Sequence, residues 1–146
     1  MTDKFTSLTT MGLLTLLACA CSGERPMNLG VKDGALAPCP SSPNCVSSQA
    51  ADEGHRIAPL SFSDAPETAM TRLTGILKSR PDVTIIEATD HYLRVELRTT
   101  FFVDDAEFLL DRERHVFQIR SASRLGYSDF GKNRQRIGEI RGLWRQ

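Results

Sequence analysis

His91-Tyr92-Leu93-Arg94-Val95-Glu96-Leu97-Arg98-Thr99 alternates Leu93, Val95, Leu97 and Thr99 with Tyr92, Arg94, Glu96 and Arg98. That is the period of a strand with one apolar and one charged face. The strand is expected to run from His91 to Phe102. Before it, Val83-Thr84-Ile85-Ile86-Glu87-Ala88 is a β-rich run that turns through Thr89-Asp90. After it, Ala106, Phe108 and Leu110 share a face against Glu107 and Asp111, and Phe117, Ile119 and Ser121 repeat the pattern beyond a tight turn at Arg112-Glu113-Arg114. The four runs predict a four-stranded antiparallel meander.

A slip of one residue would turn each apolar set outward, so a register follows. Phe108 is expected opposite Ile119, Leu110 opposite Phe117 and Glu107 opposite Arg120. Pairing Leu97 with Phe108 then sets Arg98 opposite Glu107 and Arg94 opposite Asp111. The polar face reads as an exposed ion-pair ladder, whose pairs typically contribute 0 to ~1 kcal/mol each.

Helices flank the meander. Ser63-Asp64 before Ala65-Pro66-Glu67 is a start signal, and Ala69, Leu73, Ile76 and Leu77 recur at helical spacing until about Ser79, with Pro81 beyond. A second helix is expected over residues 135–145, capped by Asp129, with Ile137, Ile140 and Trp144 on one stripe. Gly138 and Gly142 cost helix propensity and would permit close approach to the sheet. Two helices on the apolar side of the meander make a two-layer α+β domain.

The whole chain has 146 residues, with 18 Lys+Arg against 18 Asp+Glu, which suits one domain. Zero net charge argues against a protein that coats nucleic acid or an acidic membrane over its whole surface. The balance is uneven along the chain: residues 112–146 hold 9 basic and 3 acidic side chains, a local excess of +6 against −6 upstream. The two parts are expected to pair in space.

Residues 1–18 carry Lys4 and an apolar run through Leu8, Met11, Leu13, Leu14, Leu16 and Leu17, which reads as a secretory signal. Leu16-Leu17-Ala18-Cys19 resembles the bacterial lipoprotein box, in which cleavage before a cysteine is coupled to its acylation. Cys19 is the favoured acceptor and Cys21 the alternative. The expected protein is lipid-anchored in the bacterial cell envelope and faces the periplasm. Residues 19–37, rich in Gly, Pro, Asn and charge, read as a flexible tether, and residues 38–146 as the domain. At its start Cys39 and Cys45 enclose five turn-forming residues, which suggests a disulfide loop in an oxidising compartment. Half of a zinc shell, or two free thiols, are the other readings.

Four motifs then stand in order: Cys39-Pro40-Ser41-Ser42-Pro43-Asn44-Cys45-Val46-Ser47-Ser48; His55-Arg56-Ile57-Ala58-Pro59-Leu60; Phe102-Val103-Asp104-Asp105-Ala106-Glu107-Phe108; and the block from Arg120-Ser121-Ala122-Ser123-Arg124 through Tyr127-Ser128-Asp129-Phe130-Gly131-Lys132-Asn133-Arg134 to Ile137. Together they resemble the bacterial and plastid family called domain of unknown function 1499. The resemblance implies an envelope or lumenal domain, often lipid-anchored, and supplies no established activity to carry over.

In the expected meander Asp104, Asp105, Arg120, Ser123, Arg124, Tyr127, Asp129, Asn133 and Arg134 share one end of the sheet, near the start of the last helix. Backbone amides and arginines there could receive a small anion. The alternative is a closed lattice in which Asp104 and Asp105 neutralise Arg120 and Arg124 while Asp129 caps the helix. His55, His91 and His115 have no serine or cysteine at a catalytic spacing, so no catalytic residue is assigned. A hydrolase or transferase on the Asp/Arg/Ser cluster is the competing class. Calcium at Asp104, Asp105 and Glu107 is opposed by alternation, which sends Asp104 and Glu107 to opposite faces. No cofactor, metal or nucleic-acid partner is expected. The expected partners are the membrane, a small anionic ligand or an envelope protein.

Overall fold

The computed structural model describes residues 23–146; residues 1–18, Cys19 and Cys21 lie outside the described residues. Eight strands and two helices follow in the order β1 (Val31–Lys32), β2 (Ala35–Leu36), β3 (Cys45–Ser47), β4 (Leu60–Ser61), α1 (Pro66–Ser79), β5 (Val83–Ala88), β6 (Tyr92–Arg98), β7 (Val103–Asp111), β8 (Val116–Ser123) and α2 (Lys132–Trp144). The class is α+β, as expected. β5 to β8 form the meander, but β3 and β4 also pair with β8, so the sheet has six strands rather than four. β1 and β2 form a separate hairpin. β3 and β4 are three and two residues long, too short to show a period.

Both helices pack on one face of the sheet. Leu93, Val95, Leu97, Ala106, Phe108, Phe117 and Ile119 meet Ala69, Leu73 and Leu77 of α1 and Ile137, Ile140 and Trp144 of α2 in a single core. Trp144 fastens the far end of α2: its indole donates to Ser61 O at 2.8 Å, its ring meets Phe117 edge-on, and the Arg72 guanidinium lies 3.7 Å from its centroid. α1 begins with Pro in its first turn, but its N-cap is Ala65, with no side-chain bond, and Asp64 pairs instead with Arg72 at 3.0 Å. Asp129 does cap α2, from two residues before the N-cap Gly131: its carboxylate accepts the N–H of Gly131 at 3.0 Å and of Asn133 at 2.8 Å.

Register divides. Phe108 lies opposite Ile119, Leu110 opposite Phe117 and Glu107 opposite Arg120, as expected. On the other side of β7, Leu97 lies opposite Asp104, Arg98 opposite Val103 and Arg94 opposite Glu107, which corrects the three pairings proposed for this hairpin. The turn falls at residues 99–102, two positions earlier than expected, closed by Thr99 N–H to Phe102 O at 2.9 Å. Moving a turn by two shifts every partner by four, an even number, so the faces survive the error.

The polar face is not exposed. Glu96, Asp105, Glu107 and Arg120 are buried, because residues 23–37, read as a tether, lie across them. Arg25 donates to Glu96, Gly30 N–H to Glu107 Oε1 at 2.7 Å, and Leu36 packs with Tyr92 and Leu109 in a second small core. The Cys39–Cys45 disulfide forms, with the Cα atoms 5.7 Å apart.

Gly138 and Gly142 do not bring α2 closer to the sheet: both are exposed, and a Cβ added at either would meet nothing within 4 Å. Replacing each with Ala is expected to stabilise the domain by about 0.5–1 kcal/mol. Thermal melts of Gly138→Ala, Gly142→Ala and the pair check this; a fall in midpoint would mean that α2 is packed more tightly than described.

Candidate functional site

Strand alternation splits the candidate residues of β7 and β8 between two faces. Asp104 points to the helix side, opposite Ser123 on β8, and the buried Arg136 of α2 donates to its carboxylate. Asp105, Arg120 and Arg124 belong to the opposite face. Asp104 and Glu107 are likewise on opposite faces, and among the described residues no group of three His, Cys, Asp or Glu could hold a metal ion.

On the face under residues 23–37, Arg124 grips Asp105 with two bonds of 2.7 Å and donates a third, of 2.6 Å, to Glu96. Glu96 also receives Arg25 at 2.9 Å and Arg98 at 2.7 Å. Burial alone would push the Glu96 carboxyl up, but hydrogen bonds and charge from these three arginines outweigh it and hold the group at about 2. The Asp105 carboxylate, with Glu96 behind it, moves the Arg124 guanidinium further above its ordinary value against the opposing pull of burial. A few residues along, Tyr92 donates to Glu107 at 2.8 Å; burial and that neighbouring carboxylate push the phenol well above its usual value. Arg120 meets Glu107 more loosely, at 3.4 Å, and its Nε has no partner among the described residues.

On the helix side Asn133 is the junction. Fully buried, it accepts from Ser121 Oγ at 2.6 Å and donates through Nδ2 to Asn44 O, Ser123 Oγ and Asp129 Oδ2 at 3.2, 2.9 and 2.8 Å. Asn44 in turn donates to Gly126 O at 2.6 Å, tying the disulfide loop to the loop after β8. Arg134 points away, onto the carbonyls of Gly54 and Arg56, and Tyr127 is exposed. His55, outside the cluster, bridges Ser42 O and Asp52 at 3.0 and 2.8 Å; those acceptors, the Ser42 carbonyl foremost, raise its pKa.

A pocket of about 310 Å³ opens at this end of the sheet. Asp104, Ser123, Asp129 and Arg136 line its polar part, and Phe102, Leu125 and Phe130 its apolar part, with Lys132 beside them. The anion position at the start of α2 is taken by Asp129 itself, and Arg124 and Arg136 are each paired with carboxylates. Arg112 with Glu67, Arg120 with Glu107, Arg124 with Glu96 and Asp105, and Arg136 with Asp104 are the pairs that the uneven charge along the chain anticipated.

The family described as Protein of unknown function (DUF1499) matches residues 35–143, three quarters of the chain. The chain belongs to this family. All four motifs lie inside the matched residues, and in this DUF1499 domain the third and fourth converge on the pocket and the lattices beneath it. No curated protein and no solved structure matches the chain.

Sequence reasoning missed the apolar half of the pocket. Phe101 and Phe102 read as a continuation of the second strand, and Phe130 as part of a cap. Their signal was available: large apolar residues beside turn residues, outside any period of two or 3.6. It also missed Arg25, because a Gly- and Pro-rich run carries no sign of what it lies against.

Removing Arg124 would leave Asp105 and Glu96 buried without their main cation. Arg124→Ala is therefore expected to lose about 3–5 kcal/mol or not fold, which denaturant unfolding would show; a loss below ~1 kcal/mol would mean that the lattice is wet. Glu96 sets a pH dependence. Its pKa is depressed on folding, so its contribution is complete above the ordinary carboxylate value and disappears as pH falls through about 2. The melting midpoint should fall over that window, and Glu96→Gln, less stable at neutral pH, should lose that part of the acid limb.

Proposed function

We propose that this chain is an exported, lipid-anchored protein of the bacterial envelope, facing the periplasm, and that its DUF1499 domain is a non-catalytic binding or scaffolding module. The signal-like start and the lipoprotein-box resemblance at Cys19, with Cys21 as the alternative, support the anchor. The pocket carries the binding reading: an apolar mouth of Phe102, Leu125 and Phe130 stands over charges that already have partners.

A catalytic site needs a group free to give or take a proton near its nucleophile. Here the Ser123 hydroxyl accepts from Asn133, Asp104 holds Arg136, and Asp129 holds the start of α2. The hydrolase or transferase reading has no observation that favours it. Lys132, which lines the pocket and makes no ion pair among the described residues, is the cation that an anionic ligand would reach. The pocket therefore suits an amphiphile with an apolar body and one negative end.

Thermal melts in octyl phosphate, octanoate, octanol and inorganic phosphate test this, since a ligand that binds only the folded state raises the midpoint. Octyl phosphate and octanoate should raise it, inorganic phosphate should not, and Phe102→Ser should abolish the rise. A rise with inorganic phosphate alone would move the site to a purely ionic one, and silence from all four would remove the pocket as a ligand seat.

A further inference from the structure

Eight large apolar side chains are exposed among the described residues, and five of them stand at the pocket end of the sheet. Phe101 and Phe102 come from the turn between β6 and β7; Leu125, Tyr127 and Phe130 come from the loop between β8 and α2. Phe102, Leu125 and Phe130 line one cavity, so these three are contiguous, and Phe101 and Tyr127 are their neighbours along the chain. A single exposed Phe needs no explanation, but an apolar rim does. Phe130 is 97% exposed, and its φ of 52° lies in the left-handed region that bulky side chains avoid. Ser128 Oγ accepts its N–H at 3.2 Å and Asp129 accepts that of Gly131 at 3.0 Å. The loop thus keeps a strained backbone in order to hold an aromatic ring out in water.

A second observation concerns where the chain enters. Gly23, the first described residue, lies against the rim: a Cβ on it would stand 3.0 Å from Arg124 Cβ and 3.1 Å from Leu125 Cγ. The two candidate acylated cysteines precede it by two and four residues. A chain spans at most ~3.6 Å per residue, so a lipid on Cys21 or Cys19 would be attached within about 7 or 14 Å of Gly23.

Charge is the third. At this end Arg25, Arg98 and Arg124 surround Glu96 and Asp105, three cations to two anions, and the Arg25 and Arg98 side chains are half exposed. At the pocket Lys132 and Arg136 stand with Asp104 and Asp129, so the end as a whole keeps an excess of one cation. Aromatic rings with basic groups around them suit the boundary between headgroups and acyl chains, and an anionic leaflet in particular.

We propose that the rim docks into the surface of the bilayer that anchors the chain. Phe101, Phe102 and Phe130 enter the headgroup–acyl boundary, Tyr127 sits among the headgroups, and the pocket opens onto lipid. The proposal rests on the lipid-anchored reading above, and its test reads the two separately.

The experiment uses the full chain carrying Phe130→Trp, purified from bacterial membranes. It is mixed with phosphatidylethanolamine–phosphatidylglycerol vesicles whose acyl chains are brominated or plain, and the intact mass of the same preparation reports acylation. Trp144, buried at the other end of α2, provides the background in the unsubstituted protein. The tryptophan at position 130 should lose most of its emission in brominated vesicles while Trp144 keeps its own. Tyr127→Trp is the second reporter should the first variant not fold. An acylated protein that floats with the vesicles, yet shows no quenching at position 130 or 127, overturns the docking proposal and leaves the anchor standing. Quenching without an acyl mass keeps the docking and removes the anchor. A blue shift at position 130 that follows protein concentration and ignores bromine would mean that a second copy covers the rim, and overturns the proposal.

Discussion

Buried charge must be neutralised where it lies, and this requirement organises the whole face of the DUF1499 domain that the helices leave uncovered. The sheet presents Glu96, Asp105 and Glu107 on a face that no helix covers. Left bare, that face would be solvated and undemanding. Once residues 23–37 lie across it, every carboxylate needs a cation or a hydrogen-bond donor, and Arg25, Arg124, Arg98, Tyr92 and Gly30 supply them. The cover and the charges it covers therefore depend on each other. A sheet that would otherwise be a two-layer structure acquires a third, polar layer.

The meander and its two faces were legible in the sequence, and the cover over the polar face was not. Strict alternation in β6 gave the faces, and the Phe108, Ile119, Leu110 and Phe117 set gave one register, because a short turn and matched apolar residues leave no other choice. The β6–β7 register was not legible because Phe101-Phe102 look like strand and Asp104-Asp105 look like turn. The structure reverses both roles: the two phenylalanines make the turn, and the two aspartates are interior strand residues held by Arg136 and Arg124. Local propensity cannot see a cation delivered from a helix thirty residues on.

Of the candidate residues, Asp104, Asp105, Ser123, Arg124, Asp129 and Asn133 meet at one end of the sheet but not on one face, and Arg134 points away. Asp104, Ser123, Asp129 and Asn133 belong together, and Asp105, Arg120 and Arg124 belong to the lattice beneath residues 23–37. Nine polar residues at one sheet end suggest a single basin only if alternation is ignored. The pocket's apolar side comes from loops, where no periodicity reports on exposure.

The position of β8 has a consequence for how the chain reaches this state. It touches β3, β4 and β7, so three strands from earlier in the chain wait for one that ends at Ser123, and Cys45 meets Ala122 only after most of the domain has been made. The cysteines of the loop, by contrast, are six residues apart. A closure so local needs no sheet to guide it, whereas the pairing of β3 with β8 is among the most distant in the fold. The loop that carries Asn44 can therefore close without the sheet, and β8 and α2 meet it at a corner whose shape depends on six residues of local chain.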